Sequence, residues 1–259
     1  MPLAIEYKFN PINYVRKYIY HFVFSFVLPN RVCSAIGTGK MQNRYQLMNS
    51  KTVLIMEYQN GILTAILFLA YLTLWKIKRS EILKSDGIDV NVIFKVKSPI
   101  QKYFGILEKV MTILIVLIII IHIFFKDYIS ITHYINKLDT ILIKAIGFVI
   151  GIVGLAICRI AQVTIGKSWR VGIDEQAKPG LITHGIYKYI RNPTYSGLYL
   201  LVIGVWLINP TILYSYWILA FFLMMEFQVR CEEEYLESQY GNDYSTYCKK
   251  TKRYIPGVY

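Results

Sequence analysis

Two polar clusters lie beside long apolar stretches of the chain, and both contain residue types that bind charged ligands. The first is 184–197, HGIYKYIRNPTYSG, which precedes an apolar run. Gly185 permits a positive φ or a close backbone approach, and Pro193 suits the first turn of a helix. The free amide groups at such a helix start can donate to a carboxylate or another acceptor. The alternative is a basic membrane anchor with tyrosines at the lipid surface.

The second cluster consists of acidic residues around one arginine. It comprises Glu226, Arg230, Glu232, Glu233, Glu234 and Glu237. The spacing of Glu226, Arg230 and Glu234 places these three on one helical face. Arg230 can present a bidentate cation to a carboxylate, and a glutamate can bind an ammonium group. The alternative is a solvated face with exposed ion pairs, each contributing less than about 1 kcal/mol.

The composition indicates a membrane protein. Of 259 residues, 55% are hydrophobic and 17% are charged, whereas soluble domains carry about 25% charge. This excludes an ordinary soluble enzyme, a disordered chain and a disulfide scaffold. The net charge of +13 is explained by basic loops beside anionic head groups, so nucleic-acid binding is not expected. The cysteines and histidines lack metal-ligand spacing, and no metal site is predicted.

The apolar stretches predict an all-α, multi-pass membrane helix bundle with about five membrane helices. Spanning helices are expected at 52–75, 104–125 and 141–163. The stretch 193–227 is interrupted by Asn209-Pro210, so it predicts a helical hairpin that enters and leaves on the same side.

The third helix and the tail have more specific features. Gly147, Gly151 and Gly154 are spaced to let helix backbones approach closely in lipid. In the tail, a charged helix is expected to stop near Gly241. A second short helix should start at Asn242 or Asp243, place Tyr244 and Tyr247 on one face, and end at Pro256.

Three regions follow from this pattern. They are a basic, interfacial segment at 1–51, the transmembrane helices at 52–163, and the hairpin with its cytosolic tail at 164–259. Basic residues concentrate in 76–102 and in the last region, which the positive-inside rule places in the cytoplasm, with 126–140 outside. The basic residues of 1–51 do not fit a single following crossing, so the placement of that segment stays open.

Taken together, residues 166–256 resemble the catalytic part of the isoprenylcysteine carboxyl methyltransferase family and the related phospholipid methyltransferases. The resemblance rests on Gly166–Arg170, Leu181–Tyr187, Arg191–Tyr195, Gly197, Asn209-Pro210, Arg230–Glu234, Tyr240–Tyr247 and Arg253–Pro256. It covers about a third of the chain. The first 165 residues match only as generic spanning helices.

The resemblance implies an integral membrane enzyme that binds S-adenosylmethionine at its cytoplasmic face. The membrane would be the inner membrane of a bacterium or the endoplasmic reticulum of a eukaryote. The acceptor would be lipophilic, either a prenylcysteine-like molecule or a lipid. The residues implied to bind the cofactor are Leu181, Ile182, Tyr187, Asn192, Pro193, Thr194, Tyr195 and Glu234.

Arg230 matches the arginine that is implied to contact the substrate carboxylate, and it is the implied catalytic residue. The family usually has histidine before the proline, whereas this chain has Asn192. Asparagine cannot titrate near neutral pH, so this position is interpreted as a hydrogen-bonding group rather than a base.

Three alternatives remain open. A phospholipid N-methyltransferase would act on an amine and would gain nothing from a carboxylate-binding arginine. A sterol-type membrane reductase would use NADPH. A non-enzymatic membrane scaffold would keep only the fold.

Overall fold

The computed structural model describes residues 39–87, 89–90, 92–94, 99–125, 129–170, 172 and 180–258, with side chains from residue 59 onward. The chain divides into two units, Met1–Ser50 and Lys51–Tyr259. Most of the interfacial segment predicted at 1–51 lies outside the described residues. The part of it that the structure describes is helical and begins at Gly39. All packing discussed below belongs to the second unit.

The described residues form helices and connecting turns. The α-helices are α1 (Gly39–Asp86), α2 (Pro99–Phe124), α3 (Ile141–Ile165), α4 (Pro193–Ile208), α5 (Ile212–Tyr240) and α6 (Asn242–Lys250). Within the described ranges, extended pairing is limited to two isolated bridges, Tyr134 with Thr211 and Ile190 with Lys252. The predicted all-α class is therefore confirmed.

Among the described residues, four helices are long and apolar enough to cross a membrane. They are α1 from Gln59 onward, α2, α3 with the short turn that follows it, and α5. The helix α4 is also apolar but has only 16 residues, whereas a straight crossing takes about 20. The predicted spans 52–75, 104–125 and 141–163 fall on α1, α2 and α3, which confirms a multi-pass helix bundle.

The helices α4 and α5 form the predicted hairpin around Asn209-Pro210. Near the turn, Trp206 Nε1 donates to Ser215 Oγ at 2.9 Å. At the opposite ends of the same helices, Tyr195 Oη donates to Glu232 Oε1 at 2.7 Å. The polar start of α4 and the polar second half of α5 therefore meet at the open end of the hairpin, opposite its turn.

The second leg of the hairpin is longer than its apolar pattern suggested. The apolar run to residue 227 and the charged helix expected to stop near Gly241 are one continuous helix, α5. The sequence has no glycine or proline between Thr211 and Gly241 that would interrupt it. The first half of α5 is therefore apolar, and its second half carries the acidic cluster.

Glycines bring α3 and α4 into direct backbone contact, as their spacing predicted. A Cβ atom added at Gly154 would lie 2.5 Å from the carbonyl oxygen of Gly197, and one at Gly147 would lie 2.7 Å from that of Gly204. No side chain fits at these crossings, because atoms at such distances overlap. Close packing here fixes the start of α4 against the end of α3.

The tail folds back onto the segment that precedes α4. Helix α6 begins at Asn242 and buries Tyr244 and Tyr247, as predicted. It ends at Lys250, however, rather than at Pro256. The reason is that the next residues bond to another segment, because Arg191 N–H donates to the Lys252 carbonyl at 2.8 Å.

Candidate active site

A short 3-10 helix, Gly185–Lys188, positions the first cluster. Gly185 has φ +60°, and an added Cβ would lie 2.7 Å from Thr164 Cγ2. The positive φ and the close approach of a neighbouring segment, both expected at this glycine, are therefore present. The tight turn buries Tyr187, whose backbone carbonyl accepts a hydrogen bond from Tyr247 Oη at 2.6 Å.

Both tyrosine hydroxyls are protonated at neutral pH. Burial raises the pKa of Tyr187 well above its ordinary value. Burial also raises the pKa of Tyr247 to about 12. Each hydroxyl is therefore a hydrogen-bond donor, and neither is a proton-accepting phenolate.

The start of α4 is bound to the tail and to α5. Pro193 occupies the first helical turn, as predicted. The Asn192 side chain does not cap the helix; its Nδ2 donates to Glu233 Oε1 at 2.9 Å. Ser196 Oγ donates to the Tyr254 carbonyl at 2.9 Å. The loop, the hairpin and the tail thus meet at one place.

An ionic network, defined here as Arg191, Glu226, Arg230, Glu233 and Arg253, crosses this meeting point. Glu233, with a side chain only 12% exposed, accepts from Arg191 Nε at 3.2 Å and from Arg253 Nη2 at 2.7 Å. Glu226 accepts from Arg230 Nη2 at 2.9 Å. Three guanidinium groups face two carboxylates, so the network has one positive charge in excess.

A second group of polar side chains, Tyr195, Gln228 and Glu232, lies next to this network and is rich in hydrogen-bond acceptors rather than in positive charge. Glu232 Oε1 accepts hydrogen bonds from Tyr195 Oη at 2.7 Å and from Gln228 Nε2 at 2.9 Å. Both of these donors are neutral. Gln228 Oε1 is buried and has no hydrogen-bond partner. Because oxygen acceptors predominate here, this group is suited to a ligand that carries a positive charge or donates hydrogen bonds.

The predicted site residues fall into two sets. Tyr187, Asn192 and Tyr195 lie in the hydrogen-bonded assembly of loop, hairpin and tail, together with buried Pro193. Thr194 connects this assembly to α3, because its carbonyl accepts from the Cys158 thiol at 3.5 Å.

The other predicted residues lie at the edges of this assembly. Leu181 and Ile182 are half-buried in the approach to Tyr187, and Glu234 is exposed. The Arg230 side chain is 58% exposed and forms its ion pair with Glu226.

Sequence reasoning did not single out the central carboxylate, Glu233, or its partner Arg253. A signal was present, because Glu226 and Glu233 are seven residues apart and lie on the same helical face. The stated spacing of four residues pointed instead to Glu234. The role of Arg253 follows from the return of the tail after α6, which no local pattern indicated.

Comparison with known proteins finds several that are similar to this part of the chain. Residues 142–243 match the phospholipid methyltransferase family. A probable protein-S-isoprenylcysteine O-methyltransferase of Oryza sativa subsp. indica is 33% identical over 124 residues, which cover 45% of this chain and 62% of the relative. Protein-S-isoprenylcysteine O-methyltransferase A of Arabidopsis thaliana is 28% identical over 116 residues, which cover 43% of this chain and 58% of the relative.

A solved structure of the eukaryotic intramembrane Ras methyltransferase, isoprenylcysteine carboxyl methyltransferase, aligns with 97% of this chain and 88% of its own. The sequence identity is 17% and the TM-score is 0.46. In sequence, the matches to the two plant relatives span about three-fifths of each relative's length.

The comparisons confirm the resemblance that the motifs predicted, and they extend it in one direction. The family match begins at residue 142, so α3 is more than the generic spanning helix that was expected. The structure supplies a physical reason, because the glycines of α3 are the surface on which α4 packs.

Proposed function

We propose that this chain, whose carboxyl-terminal region is of the isoprenylcysteine carboxyl methyltransferase family, is a membrane methyltransferase that uses S-adenosylmethionine. In this proposal it methylates a carboxylate of a lipophilic acceptor, prenylcysteine-like in chemistry. The observation that carries the proposal is the bonding of three segments through Glu233, which accepts from Arg191, Asn192 and Arg253. The resemblance implies that these same segments enclose the cofactor.

The residues present fit such a cofactor. S-adenosylmethionine carries a carboxylate, an ammonium group and a positively charged sulfur. The excess positive charge of the ionic network suits the carboxylate. Glu232 and the unpartnered oxygen of Gln228 suit the cationic groups. Tyr195, which hydrogen-bonds Glu232, and the buried ring of Tyr187 supply apolar walls.

Within the proposal, Glu232 is a stronger candidate than Glu234 for contact with the cationic part of the cofactor. Glu232 hydrogen-bonds Tyr195, a residue of the implied cofactor set. Glu234 is exposed on the neighbouring helical face. A half-buried carboxylate with neutral donors gains more from a cationic ligand than one that water fully solvates.

The cofactor supplies, when bound, a methyl group on a positively charged sulfur. A carboxylate acceptor is already a nucleophile at neutral pH, so the protein needs no base beside it. Asn192, in place of the family's usual histidine, is compatible with this chemistry. The residues of the site then have to hold two molecules in line and keep water out, which can contribute several kcal/mol, up to about 7–11.

The route for the acceptor is proposed along the outer face of α5. Leu223 and Phe227 are exposed apolar residues, and Arg230 follows them on the same face. An acyl or prenyl chain can lie against the first two side chains while its carboxylate reaches the guanidinium. The role of Arg230 is orientation, because its charge is already shared with Glu226.

We propose that the site faces the cytoplasm. The segments that build it, the loop before α4 and the tail after α5, are rich in lysine and arginine, and such segments remain on the cytoplasmic side. The membrane would be the inner membrane of a bacterium or the endoplasmic reticulum of a eukaryote.

A phospholipid N-methyltransferase is the second candidate, and the family match at 142–243 favours it. A radiolabelled methyl-transfer assay separates the two. Purified protein is given labelled cofactor with either a prenylcysteine analogue or phosphatidylethanolamine. The proposal predicts label on the prenylcysteine analogue that mild base releases, as expected for an ester. Base-stable label on phosphatidylethanolamine alone would assign N-methylation instead.

A further inference from the structure

Two basic side chains lie between α1 and α3, one of them buried and the other with 35% of its side chain exposed. Lys78 on α1 is 6% exposed. Arg159 on α3 donates from Nη2 to Glu81 Oε1 at 3.0 Å. Lys78 and Glu81 are neighbours on one helical face, and Lys78 interacts electrostatically with both Glu81 and Arg159. We refer to these three residues as the Lys78–Arg159 cluster.

The cluster has more donors than acceptors. Arg159 Nη1 is buried and has no hydrogen-bond partner. Lys78 is buried in the same place, and Glu81 is the carboxylate that both cations share. Two positive charges against one negative charge leave an excess of one. A buried cation without sufficient partners is costly, so this arrangement favours the binding of an oxyanion.

The surroundings of the cluster indicate where the oxyanion comes from. Ile77, Ile160 and Val163, next to Lys78 and Arg159 in sequence, are exposed apolar side chains on membrane helices. Trp75, one turn before Lys78, has the position of an aromatic residue at the membrane surface. The cluster therefore lies where a spanning helix leaves the apolar layer, at the level of lipid head groups.

We propose that the Lys78–Arg159 cluster is a binding site for the phosphate of an anionic phospholipid. Arg159 Nη1 and Lys78 Nζ are the donors to the phosphate oxygens, and the lipid's acyl chains lie along the exposed apolar residues of α1 and α3. A monoanionic head group such as that of phosphatidylglycerol balances the excess charge. Basic pockets between membrane helices are suited to such head groups.

The site is tested with short-chain lipids added to the detergent-purified full chain. Binding is followed through the rise in thermal unfolding temperature during titration with phosphatidylglycerol or phosphatidylcholine. The unaltered protein should bind phosphatidylglycerol about tenfold more tightly than phosphatidylcholine, because both lipids present a phosphate but the quaternary ammonium of phosphatidylcholine cancels its charge and repels the excess cation of the cluster. The variant Lys78→Met should lose this preference while it folds normally, because methionine fills the same buried space. Lys78→Arg should retain the preference.

The control is Lys76→Met, which removes the same charge from an exposed position on the same helix. It should leave the preference for phosphatidylglycerol unchanged. If Lys76→Met and Lys78→Met reduce that preference equally, the effect is general surface charge and the proposal is wrong. If inorganic phosphate in lipid-free detergent stabilises the protein as much as phosphatidylglycerol does, the site takes a soluble anion and the lipid assignment is wrong.

Discussion

The turn of the α4–α5 hairpin and its open end are both polar, but they differ in charge. The far-end network, near the turn, consists of Asn60, Thr64, His122, Tyr134, Asn209 and Thr211. Its members bond one another, as when Asn209 donates to Thr64 Oγ1 at 2.6 Å and accepts from Tyr134 Oη at 3.3 Å. The active-site end instead has excess charge, whereas both ends keep a buried oxygen without a hydrogen-bond partner, such as Tyr214 Oη near the turn and Gln228 Oε1 at the active site.

This difference separates a structural role from a functional one. Polar groups that satisfy each other inside an apolar bundle fix the position of the turn but offer nothing to a ligand. Polar groups with unused acceptors and an excess cation are costly without a ligand. The comparison therefore predicts that substitutions at the active-site end change activity, whereas those at the far end change stability.

The largest effect is expected at Glu233. Glu233→Gln leaves Arg191 and Arg253 without their shared carboxylate and should detach the tail from α4. Methyl-transfer activity should fall by about a hundredfold or more, since breaking a buried charge pair costs about 3–5 kcal/mol. The matched control is Glu237→Gln on the exposed part of the same helix. Equal activity of the two variants would contradict the central position of Glu233.

The second prediction concerns Arg230 and the binding of the methyl acceptor. Arg230→Gln should lower turnover about tenfold or more on a carboxylate acceptor, and cofactor affinity should be unchanged. The measurement is kcat together with a cofactor titration for each variant. If the variant methylates the prenylcysteine analogue as fast as the unaltered protein does, Arg230 does not orient the acceptor of the reaction.

The third prediction compares two neighbouring glutamates. Glu232→Gln should weaken binding of S-adenosylhomocysteine or S-adenosylmethionine about tenfold, because the variant removes a half-buried carboxylate beside Tyr195. Glu234→Gln, at an exposed position, should have the smaller effect. Calorimetric titration measures both. The reverse order would restore Glu234 as the cofactor contact that the motif spacing implied.

The smallest effect on activity is expected at the far end. Asn209→Ala should lower the free energy of unfolding by about 1–3 kcal/mol, because it removes the donor to Thr64 Oγ1 and the acceptor of the Tyr134 hydroxyl. Cofactor affinity should be unchanged. Thermal unfolding and a cofactor titration on the same preparation test both statements. A loss of affinity without a loss of stability would show that the two ends are not distinct in role.

The helices were predictable because each contains a long apolar run. In lipid, such a run has to satisfy its own backbone hydrogen bonds, and a helix does so. The tight packing at Gly154 was predictable for the same reason, although its partner Gly197 was not. Small residues on one helix indicate a close approach, but they do not identify the approaching helix.

The residue types of the site were predictable from the sequence, but which of these residues contact one another was not. Three consecutive glutamates, Glu232 to Glu234, point in three directions from a helix, about 100° apart. Which of them faces the loop depends on how α5 is rotated against α4, and that rotation is set by packing far from the cluster. The return of Arg253 after α6 likewise depends on backbone bonds to the loop near Arg191, which leave no local pattern.

The central claim is that the loop, the hairpin and the tail together bind a sulfonium cofactor. Calorimetric titration of the detergent-purified chain with S-adenosylhomocysteine, the demethylated product, tests it most directly. The account predicts saturable binding at one site that Glu233→Gln abolishes and Glu237→Gln preserves. The absence of saturable binding to the unaltered, folded protein would contradict it.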